Sequence, residues 1–278
     1  MSQPPFPGPA SGPAPGAPVD GAALAAQAPI VFLHIPKTAG QTIHNALAAM
    51  VGKRHVSPIR THTQAPGAAP QMPAGYALYS GHIDWTELET LPRGRFTFTV
   101  LRDPRERIAS FYFFLLKEAE ALDRDALERP ENHGKKLILQ RSAEDYFFGG
   151  PAGFNAFILD HYDNFYVSYL ATRKMRGRSE LRDLAASDRI ARARANTAKI
   201  DRIYPISGLG RLEADVAARF GGEISVTKTY VNAGPMAREE SRWPKLLNRM
   251  ATDKGRAALE AFAEADLELM AQLGLLEA

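Results

Sequence analysis

Apolar residues follow two alternating patterns along the chain. Short, nearly continuous runs rich in β-branched and aromatic residues predict buried strands at residues 30–35, 76–80, 95–101 and 201–207. Apolar residues spaced three and four apart predict helices at residues 42–51, 104–122, 143–148, 153–162, 165–170, 179–199, 209–220 and 255–273. This alternation predicts an α/β fold, in which a central parallel sheet is flanked by helices in a single domain with helical additions.

Two kinds of segment interrupt this pattern. Residues 1–28 are rich in Pro, Ala and Gly and carry one charge, Asp20, so we expect a disordered tail there and a folded domain over residues 29–278. Residues 53–75 and 124–136 contain prolines, and the second segment is also highly charged, so both are predicted to be surface loops. Loops of this length are often functional.

Composition limits the kind of protein that this pattern can form. A chain of 278 residues with 45% hydrophobic residues can bury a core large enough for one domain. The net charge of +3 suits an anionic ligand without requiring a nucleic-acid groove. The absence of cysteine excludes disulfides and thiolate metal sites. No apolar run reaches the roughly 20 residues of a membrane span, and the first residues lack a secretory pattern, so we expect a cytoplasmic protein.

The junction between the first predicted strand and the first predicted helix carries the most distinctive chemistry. It reads His-Ile-Pro-Lys-Thr-Ala-Gly-Gln-Thr over residues 34–42. The backbone N–H groups of a tight turn and of a helix's first turn converge on one point, where they favour an anion. Lys37 adds a positive charge, and Thr38 and Thr42 add hydroxyl donors. The junction is therefore predicted to be a cradle for a phosphate or a phosphosulfate.

This cradle differs from the loop of nucleotide triphosphatases. That loop has the order G-x-x-x-x-G-K-[ST], in which a glycine directly precedes the lysine. Here the glycine of the loop, Gly40, follows Lys37. A plain strand–turn–helix with a surface lysine is the simplest alternative, but Pro-Lys-Thr-Ala-Gly is an unusually specific turn.

A second strand–turn–helix junction follows the third predicted strand. Its sequence, R-D-P-R-E-R-I-A-S-F-Y, begins with Arg102 at the strand's exit and reaches Ser110 two turns into the helix. Asp103 is expected to cap the helix or to orient an arginine. Arg105 and Arg107 are interpreted as exposed helix charges or as members of ion pairs.

His82 is the candidate general base. It follows the second predicted strand, next to Gly81, which permits close approach, and histidine titrates near working pH. A lone histidine is also compatible with a purely structural role. His44, on the first predicted helix, is a rival candidate for the base. His34 lies on the buried first strand and is interpreted as structural. Asp84 is expected either to orient His82 or to be a surface acid.

All three segments resemble one enzyme family. Residues 34–42 resemble the 5′-phosphosulfate loop, H-I-P-K-T-A-G-[TS]-[TS], of carbohydrate sulfotransferases that use 3′-phosphoadenosine 5′-phosphosulfate (PAPS). The stretch from Arg102 is similar to their 3′-phosphate motif, R-D-P-x-x-R-x-x-S-x-[FY]. Residues 81–83 resemble the G-H-[VI] element of uronosyl (heparan sulfate type) 2-O-sulfotransferases, whose histidine is the base. Gln41 departs from the family pattern, as does Ser80, which replaces a second histidine.

The resemblance implies a P-loop-like fold, PAPS as sulfuryl donor, adenosine 3′,5′-bisphosphate as product, and no metal. Lys37 would stabilise the leaving phosphate, and His82 would take the proton of the acceptor hydroxyl during in-line displacement. The implied donor-binding residues are Pro36, Lys37, Thr38, Ala39, Gly40, Gln41, Thr42, Arg102, Ser110 and Lys228. Lys228 rests on a weaker likeness around Asn232. The acceptor is expected to be a carbohydrate. Animal relatives have a membrane tether that this chain lacks, which favours a cytoplasmic, bacterial enzyme.

Two other functions stay open at this point. A nucleotide-dependent phosphotransferase would use the same kind of cradle, although the chain lacks the Gly-Lys-[ST] order and an evident acidic motif for magnesium. A non-enzymatic protein that binds a phosphorylated ligand would keep the fold without the chemistry. The acceptor itself is not readable, because residues 53–75 and 124–136 carry no recognisable motif.

Overall fold

The fold is built around a four-stranded parallel sheet. The computed structural model describes residues 19–67, 69–228 and 241–276. Its strands are β1 (Ile30–Leu33), β2 (Leu78–Gly81), β3 (Phe96–Leu101) and β4 (Arg202–Pro205), in the spatial order β2-β1-β3-β4. All neighbouring strands pair in parallel, so the predicted α/β fold with a central parallel sheet is confirmed.

The strand order creates a switch point beside β1. The chain runs from β1 to β2 at one edge and then returns to β3 on the other side of β1. The connections that follow β1 and β3 therefore leave in opposite directions and open a crevice between the carboxyl ends of these two strands. Ligands of open parallel sheets bind at such a crevice. The Lys37 turn and the Arg102 turn both begin there.

Helices surround the sheet in the described part of the chain. They are α1 (Gly21–Gln27), α2 (Gly40–Val51), α3 (Pro104–Glu120), α4 (Arg124–Leu127), α5 (His133–Gln140), α6 (Ala143–Phe148), α7 (Ala152–His161), α8 (Phe165–Thr172), α9 (Ala186–Thr197), α10 (Leu209–Phe220), α11 (Trp243–Leu247) and α12 (Asp253–Gln272). Single 3₁₀ turns lie at Lys53–His55, Leu88–Thr90, Pro130–Asn132, Arg178–Leu181 and Ile206–Gly208. The helices predicted as α2, α3, α6, α7, α8, α10 and α12 are confirmed to within a few residues.

Two apolar clusters cover the two faces of the sheet. Ile30 and Phe32 point into one cluster, with α2 and α10, and Val31 and Leu33 point into the other, with α8, α9 and α12. All four side chains are fully buried. Because both faces are covered, β1 is continuously apolar instead of alternating. A third cluster joins α3 to α5, α6, α7, α11 and α12, which form the helical additions.

The expectation of a disordered tail is wrong for its last part, because α1 occupies Gly21–Gln27. Asp20 caps this helix by accepting two first-turn N–H groups, at 2.9 and 3.2 Å. Gly21 is buried against α2, and a Cβ there would lie 2.7 Å from the Val51 carbonyl oxygen. The rest of the expected tail, residues 1–18, lies outside the described residues.

Two further segments differ from prediction. Residues 124–136, expected to be a loop, contain α4 and the start of α5. The Asp123 carboxylate stabilises α4 by accepting a first-turn N–H at 2.7 Å. The single helix expected at residues 179–199 is a 3₁₀ turn, Arg178–Leu181, followed by α9. The helix is interrupted because the backbone becomes extended at Ala185 (ψ 156°).

The long connection at residues 53–75 runs partly beside β2. The His82 N–H donates to the Arg60 carbonyl (2.8 Å), and the His62 N–H donates to the His82 carbonyl (2.7 Å). This approach leaves no room for a side chain at Gly81, where a Cβ would lie 2.1 Å from the Arg60 oxygen. Gly81 therefore allows the connection to pack against the strand end that carries His82.

Candidate active site

Backbone conformation and one hydroxyl fix the turn after β1, which begins at the half-buried Pro36. Lys37 (φ 72°) and Ala39 (φ 65°) are both left-handed and reverse the chain into α2. The Thr38 hydroxyl is buried and donates to the Ile35 carbonyl (2.9 Å), which braces the turn. Ala39 gives α2 no side-chain cap. The first-turn N–H groups of α2 and the helix dipole therefore favour an anion at this turn.

Gly40 allows an imidazole to pack against the start of α2. A Cβ at this position would lie 1.6 Å from His34 Nε2. His34 is buried and stacks on Phe32, with ring centroids 5.3 Å apart. Burial, reinforced by the nearby His82 and Arg60, holds the pKa of His34 well below its usual value. The neutral ring thus helps to fix the position at which α2 begins.

The Lys37 side chain reaches across to α3. Its Nζ lies 3.8 Å from the centroid of the Phe114 ring, which is a cation–π contact. Burial, followed by the charges of Arg242 and Arg102 and opposed by Glu118, lowers the pKa of Lys37 to about 8. The lysine is therefore still mostly charged at neutral pH. A half-buried cation near two other cations favours an anionic ligand.

Arg102 begins the turn after β3 and is held on two sides. Its guanidinium pairs with Glu106 (Nη2–Oε2 3.2 Å), and its carbonyl accepts from the Tyr166 hydroxyl (2.9 Å). Asp103 caps α3 by accepting the N–H groups of Arg105 (2.8 Å) and Glu106 (3.3 Å). Asp103 also pairs with the Arg105 guanidinium (2.9 Å). Both functions expected of Asp103, capping and orienting an arginine, are confirmed.

Arg107 is buried, so its interpretation as an exposed charge is wrong. Its Nη2 donates to the His161 carbonyl (2.6 Å), and its guanidinium carbon lies 4.6 Å from the Phe165 ring centroid. These contacts join α3 to α7 and α8. The second arginine of the motif therefore stabilises the fold beneath the turn.

One face of α3 runs along the crevice. Four residues spaced four positions apart share this face: Glu106, Ser110, Phe114 and Glu118. Glu106 pairs with Arg102, and Phe114 contacts Lys37. Ser110, which is half-buried, lies between these two contacts. The row therefore brings the predicted residues of both motifs to the same side of the crevice.

Glu106 also anchors the segment that leads into α11. Its Oε1 accepts from the Ser241 hydroxyl and from the N–H groups of Arg242 (2.9 Å) and Trp243 (2.9 Å). Arg242 is thereby held where its charge lowers the pKa of Lys37. Sequence reasoning missed Arg242 and its contact with Glu106, because no local pattern signals a contact between residues 136 positions apart.

The His82 ring is held in one tautomer at the end of β2. Its Nδ1 lies 2.7 Å from the His34 carbonyl oxygen. A carbonyl can only accept, so Nδ1 carries the proton and Nε2 keeps its lone pair. Burial lowers the pKa of His82, the hydrogen bond to His34 opposes this, and Arg60 and His62 lower it further. His82 is therefore neutral near pH 7, with Nε2 able to accept a proton.

His44, the rival base, and Asp84, expected to orient His82 or to be a surface acid, both have partners elsewhere. His44 Nε2 accepts from the Arg60 guanidinium (2.6 Å), and its Nδ1 lies 3.2 Å from the Ser80 hydroxyl. Burial and then Arg60 lower the pKa of His44 to about 4. Asp84 accepts a backbone N–H from the segment after α8 (2.8 Å), and within the described ranges it makes no hydrogen bond to His82.

The other predicted donor-site residues occupy different surroundings. Thr42 is buried in the first turn of α2, whereas the exposed Gln41 donates to a residue one turn along the helix (2.8 Å). Lys228 is exposed and acts electrostatically on Glu213 of α10. The likeness around Asn232 lies outside the described residues.

In the part of the chain that the structure describes, no cluster of three or more His, Asp or Glu is arranged to hold a metal ion, and no helix has the length and apolarity of a membrane span.

Comparison with known proteins identifies the family of the chain. The model of the sulfotransferase family matches residues 21–186. The match begins at the first residue of α1 and includes the Lys37 turn, His82 and the Arg102 turn. No curated protein shows significant similarity to the chain. Sulfotransferases are enzymes that transfer a sulfuryl group to an acceptor. Because the match spans more than half of its length, this chain belongs to the sulfotransferase family.

Proposed function

We propose that this sulfotransferase transfers the sulfuryl group of PAPS to a hydroxyl of a carbohydrate acceptor by in-line displacement. The observation that carries the proposal is the meeting of two anion-favouring turns at the crevice between β1 and β3. Lys37 of the first turn and Arg102 of the second are close enough for the arginine's charge to lower the pKa of the lysine. PAPS is anionic at both its 5′ and its 3′ position, so two neighbouring cationic turns suit it.

The residues at the crevice fit such a donor. The uncapped N terminus of α2 and the Lys37 ammonium offer hydrogen-bond donors and charge for the 5′-phosphosulfate. Arg102 and Ser110 offer a guanidinium and a hydroxyl for the 3′-phosphate. Arg242 adds a further cation nearby. Bound at these groups, PAPS would supply the sulfuryl group together with a bisphosphate leaving group.

Two side chains have roles in the proposed bond exchange. His82 Nε2 takes the proton of the acceptor hydroxyl as the hydroxyl oxygen bonds to sulfur. The Lys37 ammonium stabilises the charge that forms on the phosphate oxygen as its bond to sulfur breaks. The electron pair of the broken S–O bond stays on the bisphosphate, and the acceptor's proton ends on His82.

Ligand preference separates this proposal from a phosphotransferase. Calorimetry would compare adenosine 3′,5′-bisphosphate without metal to ADP with magnesium. We expect the bisphosphate to bind more tightly, because only it has a 3′-phosphate to meet Arg102. Tighter binding of ADP with magnesium would instead favour the phosphotransferase.

Transfer of label tests the acceptor class and the enzymatic role. Radiolabelled PAPS would be offered with a panel of monosaccharides and oligosaccharides, and with aliphatic and phenolic alcohols as comparison acceptors. Label on sugar hydroxyls would support the proposal, and label on phenols alone would overturn the carbohydrate assignment. Tight binding of the bisphosphate without transfer to any acceptor would favour the non-enzymatic binding protein.

A further inference from the structure

The Lys37 ammonium rests on the ring of Phe114, with Nζ 3.8 Å from the ring centroid. Lys37 has no ion pair or hydrogen bond from its ammonium to any other residue in the described ranges. Phe114 is 38% exposed, so its ring contributes little to the core. The contact therefore affects the position of the lysine side chain more than the packing of α3.

The charges around Lys37 do not hold it in this position by themselves. Arg102 and Arg242 repel its ammonium, burial disfavours its charge, and Glu118 attracts it. Glu118 is exposed and already lies 3.7 Å from the Lys135 ammonium. The electron-rich face of the aromatic ring therefore supplies direct compensation for the lysine's charge.

The position of Phe114 on α3 sets the position of the lysine. Ser110, a predicted ligand of the 3′-phosphate, lies one turn before the ring, and Glu118 lies one turn after it. The ring thus holds the ammonium alongside the face of α3 that borders the crevice. Without the ring, the flexible lysine side chain would be free to turn toward solvent or toward Glu118.

We propose that Phe114 is a positioning residue, which holds the Lys37 ammonium charged and in place at the sulfuryl site before the donor binds. The proposal rests on the proposed function only for what Lys37 does there, because the contact is a property of the free protein. A lysine held close to its working position loses less conformational entropy when a phosphate arrives than one that is free in solvent.

The pKa of Lys37 in the free protein tests the contact. Phe114→Leu removes the ring and keeps an apolar side chain, and Phe114→Tyr keeps the ring. Phe148→Leu is the matched control, because Phe148 is also 38% exposed and lies on α6. Lysine-labelled protein would be titrated by NMR, with the Lys37 signal identified from Lys37→Arg. Phe114→Leu should lower the pKa of Lys37 by about 0.4–1.5, and the other two variants should leave it unchanged.

Turnover tests the positioning role. In the wild-type enzyme the rate of sulfuryl transfer should fall at alkaline pH, as Lys37 loses its proton. Phe114→Leu should move this alkaline limb to lower pH by the same amount as the pKa, and Phe114→Tyr should restore it. Phe148→Leu should behave like the wild-type enzyme.

The outcomes separate this proposal from the proposed function. An unchanged pKa of Lys37 in Phe114→Leu would overturn the contact, whatever the enzyme transfers. A lowered pKa with an unmoved alkaline limb would overturn the positioning role. Failure of the wild-type protein to bind the bisphosphate would overturn the proposed function instead, and the NMR titration would still decide whether Phe114 keeps Lys37 charged.

Discussion

At the scale of single residues, the proposed reaction needs a neutral histidine and a charged lysine at the same pH. Burial lowers the pKa of both side chains, with opposite consequences for their charge at neutral pH. The pKa of His82 lies below its usual value of 6.5, so its neutral form, which can accept a proton, is the main form at neutral pH. Lys37 keeps its proton up to about pH 8. The two required forms therefore coexist around neutral pH, which predicts a bell-shaped profile if both groups act in the reaction.

His82→Asn should lose at least about a hundredfold in transfer rate, because the amide keeps a donor for the His34 carbonyl but cannot accept a proton. Binding of adenosine 3′,5′-bisphosphate should be unchanged by calorimetry. His133→Asn is the control, since His133 is exposed on α5. If single-turnover measurements show that His82→Asn keeps most of the wild-type rate, the base lies elsewhere, and His44 becomes the next residue to test.

Arg102→Ala should weaken bisphosphate binding by about 1.5–3 kcal/mol, which is about 10–150-fold, because a charge-assisted contact to the 3′-phosphate is lost. Adenosine 5′-phosphate, which lacks the 3′-phosphate, should bind the variant and the wild type alike. Arg105→Ala is the matched control, because this exposed arginine of the same turn pairs with Asp103. An equal loss of affinity for both nucleotides would show that Arg102 acts through the fold of the turn and not through the 3′-phosphate.

At the scale of elements, prediction succeeds where a local pattern decides the structure. β1 is predictable because burial on both faces makes it continuously apolar. α1 is not predicted, because its short alanine-rich sequence contains one large apolar residue, Leu24, and so shows no periodic apolar face; the Asp20 cap and the close packing of Gly21 stabilise it. The contact between Glu106 and Arg242 is also missed, because tertiary packing alone brings these residues together. The Lys37 turn and the Arg102 turn are predictable from the sequence, because each has its hydrogen-bond donors within a few consecutive residues.

Gly40→Ala tests the junction between β1 and α2. The new methyl group would meet the His34 ring, 1.6 Å from Nε2, and this ring is buried and stacked on Phe32. We expect the free energy of unfolding to fall by about 1–3 kcal/mol through overpacking, with weaker bisphosphate binding. Urea denaturation and calorimetry would measure these effects.

Gly210→Ala is the control for that experiment. Gly210 also lies near the start of a helix, α10, but apart from its chain neighbours and the backbone of α10 itself no described atom lies within 4 Å of its Cβ position. Its replacement should leave the protein as stable or more stable by up to about 1 kcal/mol, because alanine favours the helix. Similar stabilities for the two variants would contradict the requirement for glycine at Gly40.

At the scale of the whole molecule, a buried acid connects α12 to the candidate site. The Asp266 carboxylate accepts the N–H groups of Tyr166 (3.0 Å) and Val167 (2.8 Å) at the start of α8. The Tyr166 hydroxyl in turn donates to the Arg102 carbonyl. The position of the second motif turn therefore depends on how α12 holds α8.

Asp266 should make the stability of the protein pH-dependent. Burial raises the pKa of Asp266 to about 7, while its two backbone hydrogen bonds and then Arg107 oppose the shift. The folded state then binds a proton more tightly than the unfolded chain, so this residue's contribution to the free energy of unfolding falls as pH rises from about 4 to about 7. Urea denaturation should show the wild-type minus Asp266→Asn difference falling across this range. Asp253→Asn, which changes an exposed acid of α12, should show no such trend, and a constant difference for Asp266→Asn would contradict the raised pKa.

The place where the folded unit begins is tested by two truncations. Deletion of residues 1–18 should leave Tm and bisphosphate affinity unchanged, because their Pro-, Ala- and Gly-rich sequence offers few groups that pack.

Deletion of residues 1–28 also removes α1, in which Leu24 packs against the cluster of β1 and α2 and Gly21 lies against the end of α2. Losing about 1–3 kcal/mol of apolar burial would lower Tm by several degrees in a chain of this size. Because α1 precedes the strand that leads into the Lys37 turn, the longer deletion should also weaken bisphosphate binding. Equal Tm values for the two shortened proteins would show that α1 adds nothing to the domain and that the folded unit begins at β1.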